Sequence, residues 1–354
     1  MNVRHLDERE FDRKLLPLLE ISANAPFRAD DDHLAFSLFT SRERCALCMT
    51  FDHRIFDARG AELFLHLFQQ KLAEAEFSNV SGNIAFSSSS GLTQWSRKFK
   101  AGRNVNRRIM TMAKSSTLEA LPLPEGKRGY RYHLISFDEK ETTRIYEQAY
   151  QESGYLMESP YLLSVVLQCM HELFRNKQLS GDSYLVPVTL DLRTGQDPLQ
   201  EVFFNYVSYL FYQVPVEMVS DRKELIALLK QQMYDQVKSG FPKDLAEASL
   251  LTRIAPLPLL GKVLHMPMKG KMATFAFSHL GRSSYQHPTF MGKKILNLFH
   301  MPRVPAPPGI GFFSNYYNNR LNLVISYLDG LLSSEEARML QEDVRNRFCA
   351  GHAL

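Results

Sequence analysis

The sequence predicts an α/β fold, because segments with helical and with strand periodicity alternate along most of its 354 residues. Apolar residues make up 45% of the chain and aromatic residues 11%, which is enough for a sizeable core. Three segments open with Asp or Ser followed three positions later by Glu, a signature of a helix start. Together these observations favour two modest domains, or one large domain with two lobes.

The first predicted helix covers residues 61–75 and follows a strand-like apolar run at 45–51. Phe64 and Phe68 lie on its apolar face. Residues 78–129 are rich in serine, glycine and basic residues and end in a Leu-Pro-Leu-Pro sequence. They predict a long linker or crossover with little regular structure.

Regular structure restarts with a strand at residues 130–137. A capping box at Asp138 then begins a helix that runs to about residue 153. Pro160 opens an apolar helix that continues through residue 174, since proline is favoured in the first turn.

The second half of the chain contains the remaining predicted elements. They are a buried strand at 183–192, a helix capped by Asp221 that stops at Gly240, a short strand at 273–278, strands at 309–317 and 321–328, and a final helix capped by Ser333. Asn318 and Asn319 between the last two strands predict a hairpin, with a longer loop as the alternative.

Acidic residues are absent from two long segments of a chain whose formal net charge is +4. These segments lie between Glu76 and Glu119 and between Glu247 and Asp329. Their positive charge suggests an anionic partner, such as a phosphorylated cofactor, an acidic carrier protein, a lipid head group or nucleic acid. Simple solvation of the surface by basic residues explains the pattern equally well.

Several classes of protein do not fit the sequence. The N-terminal residues lack the apolar core of a secretory signal, and no stretch reaches the ~18 uncharged apolar residues of a membrane span. Cys45 and Cys48 form a C-x-x-C in a strand-like run, and we expect both to be buried, reduced thiols. No metal-binding motif and no nucleic-acid-binding module is recognisable. The sequence therefore indicates a cytoplasmic protein with neither a metal nor a nucleic-acid partner.

His53 and Asp57 stand at an H-x-x-x-D spacing in the sequence FDHRIFDARG, residues 51–60. A histidine held between a buried strand and a helix can face a cleft from a rigid scaffold, as a general base must. An unperturbed histidine titrates near ~6.5, so it can take a proton from a hydroxyl or an amine and return it near neutral pH. The spacing alone is common, and an ordinary surface loop is the competing interpretation.

The motif and three later segments together resemble the CoA-dependent acyltransferase superfamily. This superfamily includes chloramphenicol acetyltransferase, the condensation domains of non-ribosomal peptide synthetases, wax ester synthases and alcohol acyltransferases, and its motif is H-H-x-x-x-D-G. His53 stands at the second histidine and Asp57 at the aspartate, whereas Asp52 replaces the first histidine and Ala58 the glycine. Gly60 follows two residues later. The departures bear on loop geometry and leave the base in place.

The three later segments are similar to the second lobe of that superfamily. They are YLVPVTLDLRTG (184–195) with FFNYVS (203–208), FAFSHLG (275–281) and PPGIGFFSNYYNNRLNLVISYLDGLLS (307–333). The resemblance implies that Arg193 pairs with Asp57. It also makes Asn205, Ser278 and His279, the last in place of a usual asparagine, candidate oxyanion or cleft residues.

The resemblance implies a two-lobed, chloramphenicol-acetyltransferase-like fold, with mixed sheets flanked by helices and the active site between the lobes. It implies an acyltransferase that moves an acyl group from a CoA or carrier-protein thioester to a hydroxyl or amine, with His53 as the general base. Asp57 and Arg193 would be structural, orienting residues. No bound cofactor is needed, because acyl-CoA or a phosphopantetheinyl thioester is the activated substrate. The alternatives are a stand-alone, amide-forming condensation enzyme and a non-catalytic member that binds a carrier protein or lipid.

The resemblance also divides the chain. The first lobe, residues 1–125, carries the motif and a basic crossover, and the second, residues 126–354, carries the closing strands and the C-terminal helix. Because the motif lies much further down the chain in the superfamily, we expect a truncated first lobe with an unpaired sheet edge. Either the native chain starts before Met1 or an oligomer covers the edge. Residues 255–272 mix Met, Leu and Lys, and either line an acyl tunnel, contact a membrane peripherally or pack in an ordinary way.

Overall fold

The computed structural model describes residues 2–27, 32–73, 94–115, 118–126, 128–179, 181–193, 195, 201–252 and 273–350. These residues form a three-stranded and a six-stranded sheet with flanking helices, and a short two-stranded ribbon. The predicted α/β class with mixed sheets is therefore confirmed. None of the helices described is long and apolar enough to cross a membrane. Residues 255–272, for which a tunnel or a membrane contact was considered, lie outside the described residues.

The three-stranded sheet carries the strand that leads into the H-x-x-x-D motif. β1 (Asn2–His5) runs parallel to β2 (Leu34–Thr40), which pairs antiparallel with β3 (Cys45–Phe51). β1 stands at one end of the sheet order, and all four of its residues are exposed. α2 (Ala58–Ala73) follows β3 and begins three residues earlier than predicted. The motif loop, residues 52–57, is thus held between β3 and α2.

The prediction that both cysteines of the C-x-x-C are buried is wrong for one of them. Cys45 is exposed, whereas Cys48 is half-buried, and its burial raises the pKa of its thiol. Residues three apart on a strand point to opposite faces, so the two thiols cannot share one environment. No cluster of three or more His, Cys, Asp or Glu residues in the described ranges is arranged to hold a metal ion.

The six-stranded sheet consists, in spatial order, of β4 (Tyr130–Ser136), β11 (Arg320–Leu328), β10 (Ile310–Tyr317), β7 (Ala276–Arg282), β5 (Ser183–Asp191) and β6 (Val207–Pro215). β7 is parallel to both of its neighbours, and the other neighbouring pairs are antiparallel. The predicted hairpin is confirmed, since Asn318 and Asn319 turn β10 into β11 with φ angles of 50° and 59°. β8 (Thr289–Phe290) and β9 (Lys293–Lys294) form the separate ribbon.

One face of the six-stranded sheet is covered by four helices around the main apolar core. They are α4 (Glu139–Ser153), α5 (Glu158–Asn176), α6 (Arg222–Lys238) and α8 (Ser334–Cys349). The capping boxes predicted at Asp138 and Ser333 are both present, with reciprocal side-chain and backbone hydrogen bonds. α5 is buried along most of its length, in keeping with its apolar sequence.

The prediction that residues 78–129 form a linker with little regular structure is wrong for part of the segment. α3 (Trp95–Ser115) lies within it. α3 packs on α7 (Phe241–Thr252), and its Ala101 and Val105 are buried. The prediction failed because α3 has few apolar residues, and a packed tertiary neighbour can outweigh weak local signals.

α1 (Phe11–Asn24) connects the small sheet to the large one. The Asn24 side chain donates to the carbonyl of Tyr130 and accepts from its N–H, both at 2.8 Å, so it pairs with β4 as a strand residue would. Arg131 next to it contacts Glu20 of α1 at 2.8 Å. A surface cavity of about 400 Å³ lies at this junction.

Candidate active site

His53 lies in the motif loop between β3 and α2. Its imidazole is exposed, and the ring centroid lies 6.4 Å from that of Phe51 at the end of β3. Neither ring nitrogen has a hydrogen-bond partner among the residues that the structure describes. The ring can therefore exchange a proton with a molecule that approaches from solvent.

Asp57 is buried at the start of α2, and its carboxylate accepts three hydrogen bonds. Oδ1 accepts from the Gly60 N–H at 2.8 Å and from Nη2 of Arg193 at 2.7 Å, and Oδ2 accepts from the Tyr206 N–H at 2.9 Å. Only 2% of the Asp57 side chain and 7% of the Arg193 side chain are exposed. The three donors compensate a charge whose burial would otherwise be costly. Arg193, the expected partner of Asp57, is thus in direct contact with it.

Arg193, just past the end of β5, is itself held on several sides. Its Nε donates to the carbonyl of Glu201 at 3.1 Å, its Nη1 to Asp191 at 3.1 Å, and its guanidinium lies 4.8 Å from the ring centroid of Tyr206. Burial acts to lower the pKa of Arg193, but the hydrogen bond and charge of Asp57, with the charge of Asp191, outweigh burial and raise it. Arg193 therefore stays charged, and its contact with Asp57 ties the motif loop to the end of β5.

The segment at 201–206 also binds the motif loop through its backbone. The Phe204 N–H donates to the carbonyl of Ile55 at 2.6 Å, and Phe56 and Phe204 form an isolated β-bridge. Phe204 has a φ of 73°, which is uncommon for a bulky residue. Such strain persists only where the surrounding structure imposes it. The motif loop and this segment therefore fix each other in place.

Gly60 occupies a position in the first turn of α2 where no side chain fits. A Cβ atom there would lie 2.2 Å from the carbonyl oxygen of Val202, and 3.4 Å from both Asp57 and Arg193. The absence of a side chain lets α2 approach the segment at 201–206 closely, while the Gly60 N–H donates to Asp57 within the first turn of α2. Sequence analysis placed Gly60 just before the predicted helix at 61–75, whereas the structure places it inside α2, where glycine is unfavourable without a packing reason.

A second buried acid, which sequence analysis did not single out, lies one turn further along α2. Glu62 accepts hydrogen bonds from Nε2 of His300 at 2.8 Å, from the Ser284 N–H at 2.6 Å and from Nη1 of Arg59 at 3.2 Å. Burial acts to raise the pKa of Glu62, but its contacts with His300, Arg59 and Ser284 outweigh burial and lower it. Arg59 also donates to two backbone carbonyls at the end of β7. The start of α2 is thus tied to β7 as well as to β5.

The other three candidate residues do not form one cluster. Asn205 is exposed, and its side-chain oxygen accepts from a backbone N–H two residues on at 2.9 Å. Ser278 is buried and its hydroxyl lies 2.6 Å from that of Thr189. His279 follows it on β7 and so points to the opposite face of the sheet, where its Nδ1 lies 2.9 Å from the Ser314 hydroxyl. The structure therefore separates His279 from Ser278.

His279 faces the side of the sheet that the helices cover. Its ring stands edge-on to Tyr316, with 5.7 Å between centroids. Burial, with a smaller effect of the Arg59 charge, lowers the pKa of His279 to about 4. The side chain is therefore neutral at neutral pH, as the asparagine that is usual in the resembled family would be.

Comparison with known proteins places this arrangement in a recognised fold. No protein-family model matches the chain, and no curated protein matches it. The epimerization domain from the third module of tyrocidine synthetase B matches with a TM-score of 0.61 and 12% identity, over 99% of this chain and 78% of that one. A trichothecene 15-O-acetyltransferase from Fusarium sporotrichioides matches with a TM-score of 0.67 and 12% identity, over 98% and 76%.

The first condensation domain of the CDA synthetase matches in the same way, with a TM-score of 0.61 and 11% identity, over 98% of this chain and 74% of that one. Sequence identities this low identify a shared fold and nothing finer. The chain therefore has the chloramphenicol-acetyltransferase-like α/β fold that it shares with these condensation and epimerization domains and with the trichothecene acetyltransferase.

Proposed function

We propose that this chain is an acyltransferase that moves an acyl group from a thioester to a hydroxyl or an amine, with His53 as the general base. The thioester would be acyl-CoA or the phosphopantetheine arm of a carrier protein, bound as a substrate. The observation that carries the proposal is the buried pair of Asp57 and Arg193, which anchors the loop on which His53 stays exposed. A rigid backbone and an accessible ring suit a base that must meet its substrate in one geometry.

The reaction requires one base and no covalent enzyme intermediate, because a thioester is already activated. His53 takes the proton of the acceptor as the acceptor attacks the thioester carbonyl, which produces a tetrahedral oxyanion. The oxyanion then collapses, the carbon–sulfur bond breaks, and the imidazolium returns the proton to the leaving thiolate. The products are an ester or amide and a free thiol. Asp57 and Arg193 act only by positioning the loop.

The oxyanion also requires a hydrogen-bond donor, and Asn205 fits this role better than Ser278 or His279. Its side-chain NH₂ group has no hydrogen-bond partner within the described ranges, whereas the Ser278 hydroxyl already bonds with Thr189. The preceding residue, Phe204, binds the motif loop directly. Asn205 therefore lies on a segment whose position is coupled to that of His53.

Amide formation between carrier-bound substrates is the second candidate function, and the likeness in fold to condensation domains supports it. A thiol-release assay tests both candidates. The purified chain is supplied with acyl-CoAs of increasing chain length and with acylated carrier protein, each with alcohol acceptors, free amines and a carrier-bound amine. Free thiol formed in step with an ester, or with the amide of a free amine, supports the first function. Thiol formed in step with an amide only when donor and amine are both carrier-bound supports the second. The absence of acceptor-dependent thiol release across the panel would contradict both.

A further inference from the structure

α3 presents to solvent a basic and aromatic face that acyl transfer does not explain. Trp95, Phe99, Arg103 and Arg107 follow one another four residues apart, so their side chains form one ridge along the helix. All four are exposed, Phe99 by 62% and Trp95 by 42%, and the two aromatic rings lie 6.3 Å apart. Lys100 is exposed beside the ridge.

The opposite face of α3 is occupied by the rest of the protein. Ala101 and Val105 are buried there, and α3 packs on α7. Lys100, Arg103 and Arg107, in contrast, have no ion-pair partner in the described part of the chain. The outer face thus combines uncompensated positive charge with exposed aromatic surface.

A cavity of about 420 Å³ opens at the basic end of the ridge and is lined by Asn104, Arg107 and Arg108, among others. The Arg108 guanidinium stacks on Phe241 at 4.9 Å, and its buried Nε has no hydrogen-bond partner within the described residues. Arg107 and Arg108 thus place two guanidinium groups beside this cavity, and guanidinium N–H groups are strong donors to phosphate oxygens.

We propose that the outer face of α3 docks on an anionic phospholipid surface. Trp and Phe side chains prefer the boundary between head groups and acyl chains, and Arg and Lys side chains bind the phosphates. The aromatic residues, Trp95 and Phe99, are grouped at one end of the ridge, and the arginines at the other. Single-stranded nucleic acid instead needs aromatic rings interleaved with positive charge along a groove. This helix face therefore fits a lipid surface better than a nucleic acid.

The chain contains a single tryptophan, and Trp95 lies on the proposed face, so its fluorescence reports docking directly. Vesicles of phosphatidylserine should shift the Trp95 emission to shorter wavelength and sediment with the protein, whereas pure phosphatidylcholine vesicles should do neither. The double substitution Arg103→Glu and Arg107→Glu should weaken binding at least about 25-fold, from about fivefold for each basic residue lost. Lys140→Glu with Arg144→Glu, an exposed pair at the same spacing on α4, should bind as the wild type does.

Three results would overturn the proposal. The first is the absence of any shift with phosphatidylserine vesicles, and the second is equal binding by the two double variants. The third is a shift that inorganic phosphate, an oligonucleotide or an acidic peptide produces where phosphatidylserine vesicles produce none, since the face would then bind a soluble anion. Circular dichroism checks folding, and Phe99→Ser, which should also abolish sedimentation, replaces the Arg103→Glu and Arg107→Glu variant if that variant unfolds.

Discussion

The guanidinium of Arg193 lies 2.7 Å from the carboxylate of Asp57, and both side chains are buried. The two residues are 136 positions apart, so their contact joins the motif loop to the end of β5 across a large part of the chain. Because both side chains are shielded from water, breaking the pair is unfavourable, and the position of the His53 loop depends on both residues.

Replacement of either member of this pair should destabilise the protein. Arg193→Ala leaves the buried Asp57 carboxylate without its cation, whereas Asp57→Ala leaves Arg193 still paired with the Asp191 carboxylate. Each should lower the free energy of unfolding by about 3–5 kcal/mol, with Asp57→Ala at the lower end. The double variant should lose clearly less than the sum of the two single losses. Urea unfolding of the four proteins measures this, and strict additivity would show that the pair is not energetically coupled.

Gly60→Ala should destabilise the protein although alanine is the better helix former. The new Cβ atom would lie 2.2 Å from the Val202 carbonyl oxygen, so the backbone must move at a cost of about 1–3 kcal/mol. Gly102→Ala in α3 is the matched control, since its Cβ would meet its nearest neighbour, Leu251, at an ordinary 3.5 Å. The control should gain about 0.5–1 kcal/mol from helix propensity. Equal effects of the two substitutions on thermal unfolding would refute the close contact at Gly60.

His279 should make the stability of the protein depend on pH between about 4 and 6.5. The pKa of His279 is about 4 in the folded protein, compared with an ordinary value of 6.5. Between these two pH values the side chain is protonated in the unfolded chain and neutral in the folded chain. Stability should therefore fall as the pH falls from about 6.5 to about 4, by at most about 3 kcal/mol. His279→Asn should flatten the curve in this window. Parallel curves for wild type and variant in urea titrations at several pH values would contradict the assignment.

Donor binding should weaken as salt rises, because the acid-free segment between Glu247 and Asp329 leaves Arg282, Lys293 and Lys294 exposed and a CoA or phosphopantetheine donor carries phosphate. Exposed charges are screened beyond about 8 Å at physiological ionic strength. The KM for the donor should therefore rise with sodium chloride while kcat stays nearly constant. A KM that is flat from low to high salt would count against phosphate recognition by these residues.

Local signals were enough to predict much of the fold. The capping boxes at Asp138 and Ser333, the helix start at Asp221 and the hairpin at Asn318 all depend on residues within a few positions of one another, and the structure contains each of them. The contact of Asp57 with Arg193 could be anticipated only through the family resemblance, since nothing local connects residues so far apart.

What sequence analysis missed depends on tertiary contact. Glu62 and His300 are 238 positions apart, and neither carries a motif that would reveal the buried pair they form. α3 was taken for part of a linker because its apolar residues are few and its burial comes from α7. The separation of Ser278 from His279 was missed because the predicted strand ended at residue 278, whereas β7 continues to Arg282 and its alternation places the two on opposite faces.

The proposed role of His53 is tested most directly by thiol release from one acyl donor and one acceptor, compared between wild type and His53→Ala. The ring is exposed and makes no hydrogen bond within the described residues, so the variant should keep the melting temperature of the wild type. Loss of the general base should lower the rate of transfer by about 100- to 10,000-fold. A folded His53→Ala protein that transfers the acyl group at the wild-type rate would contradict the account.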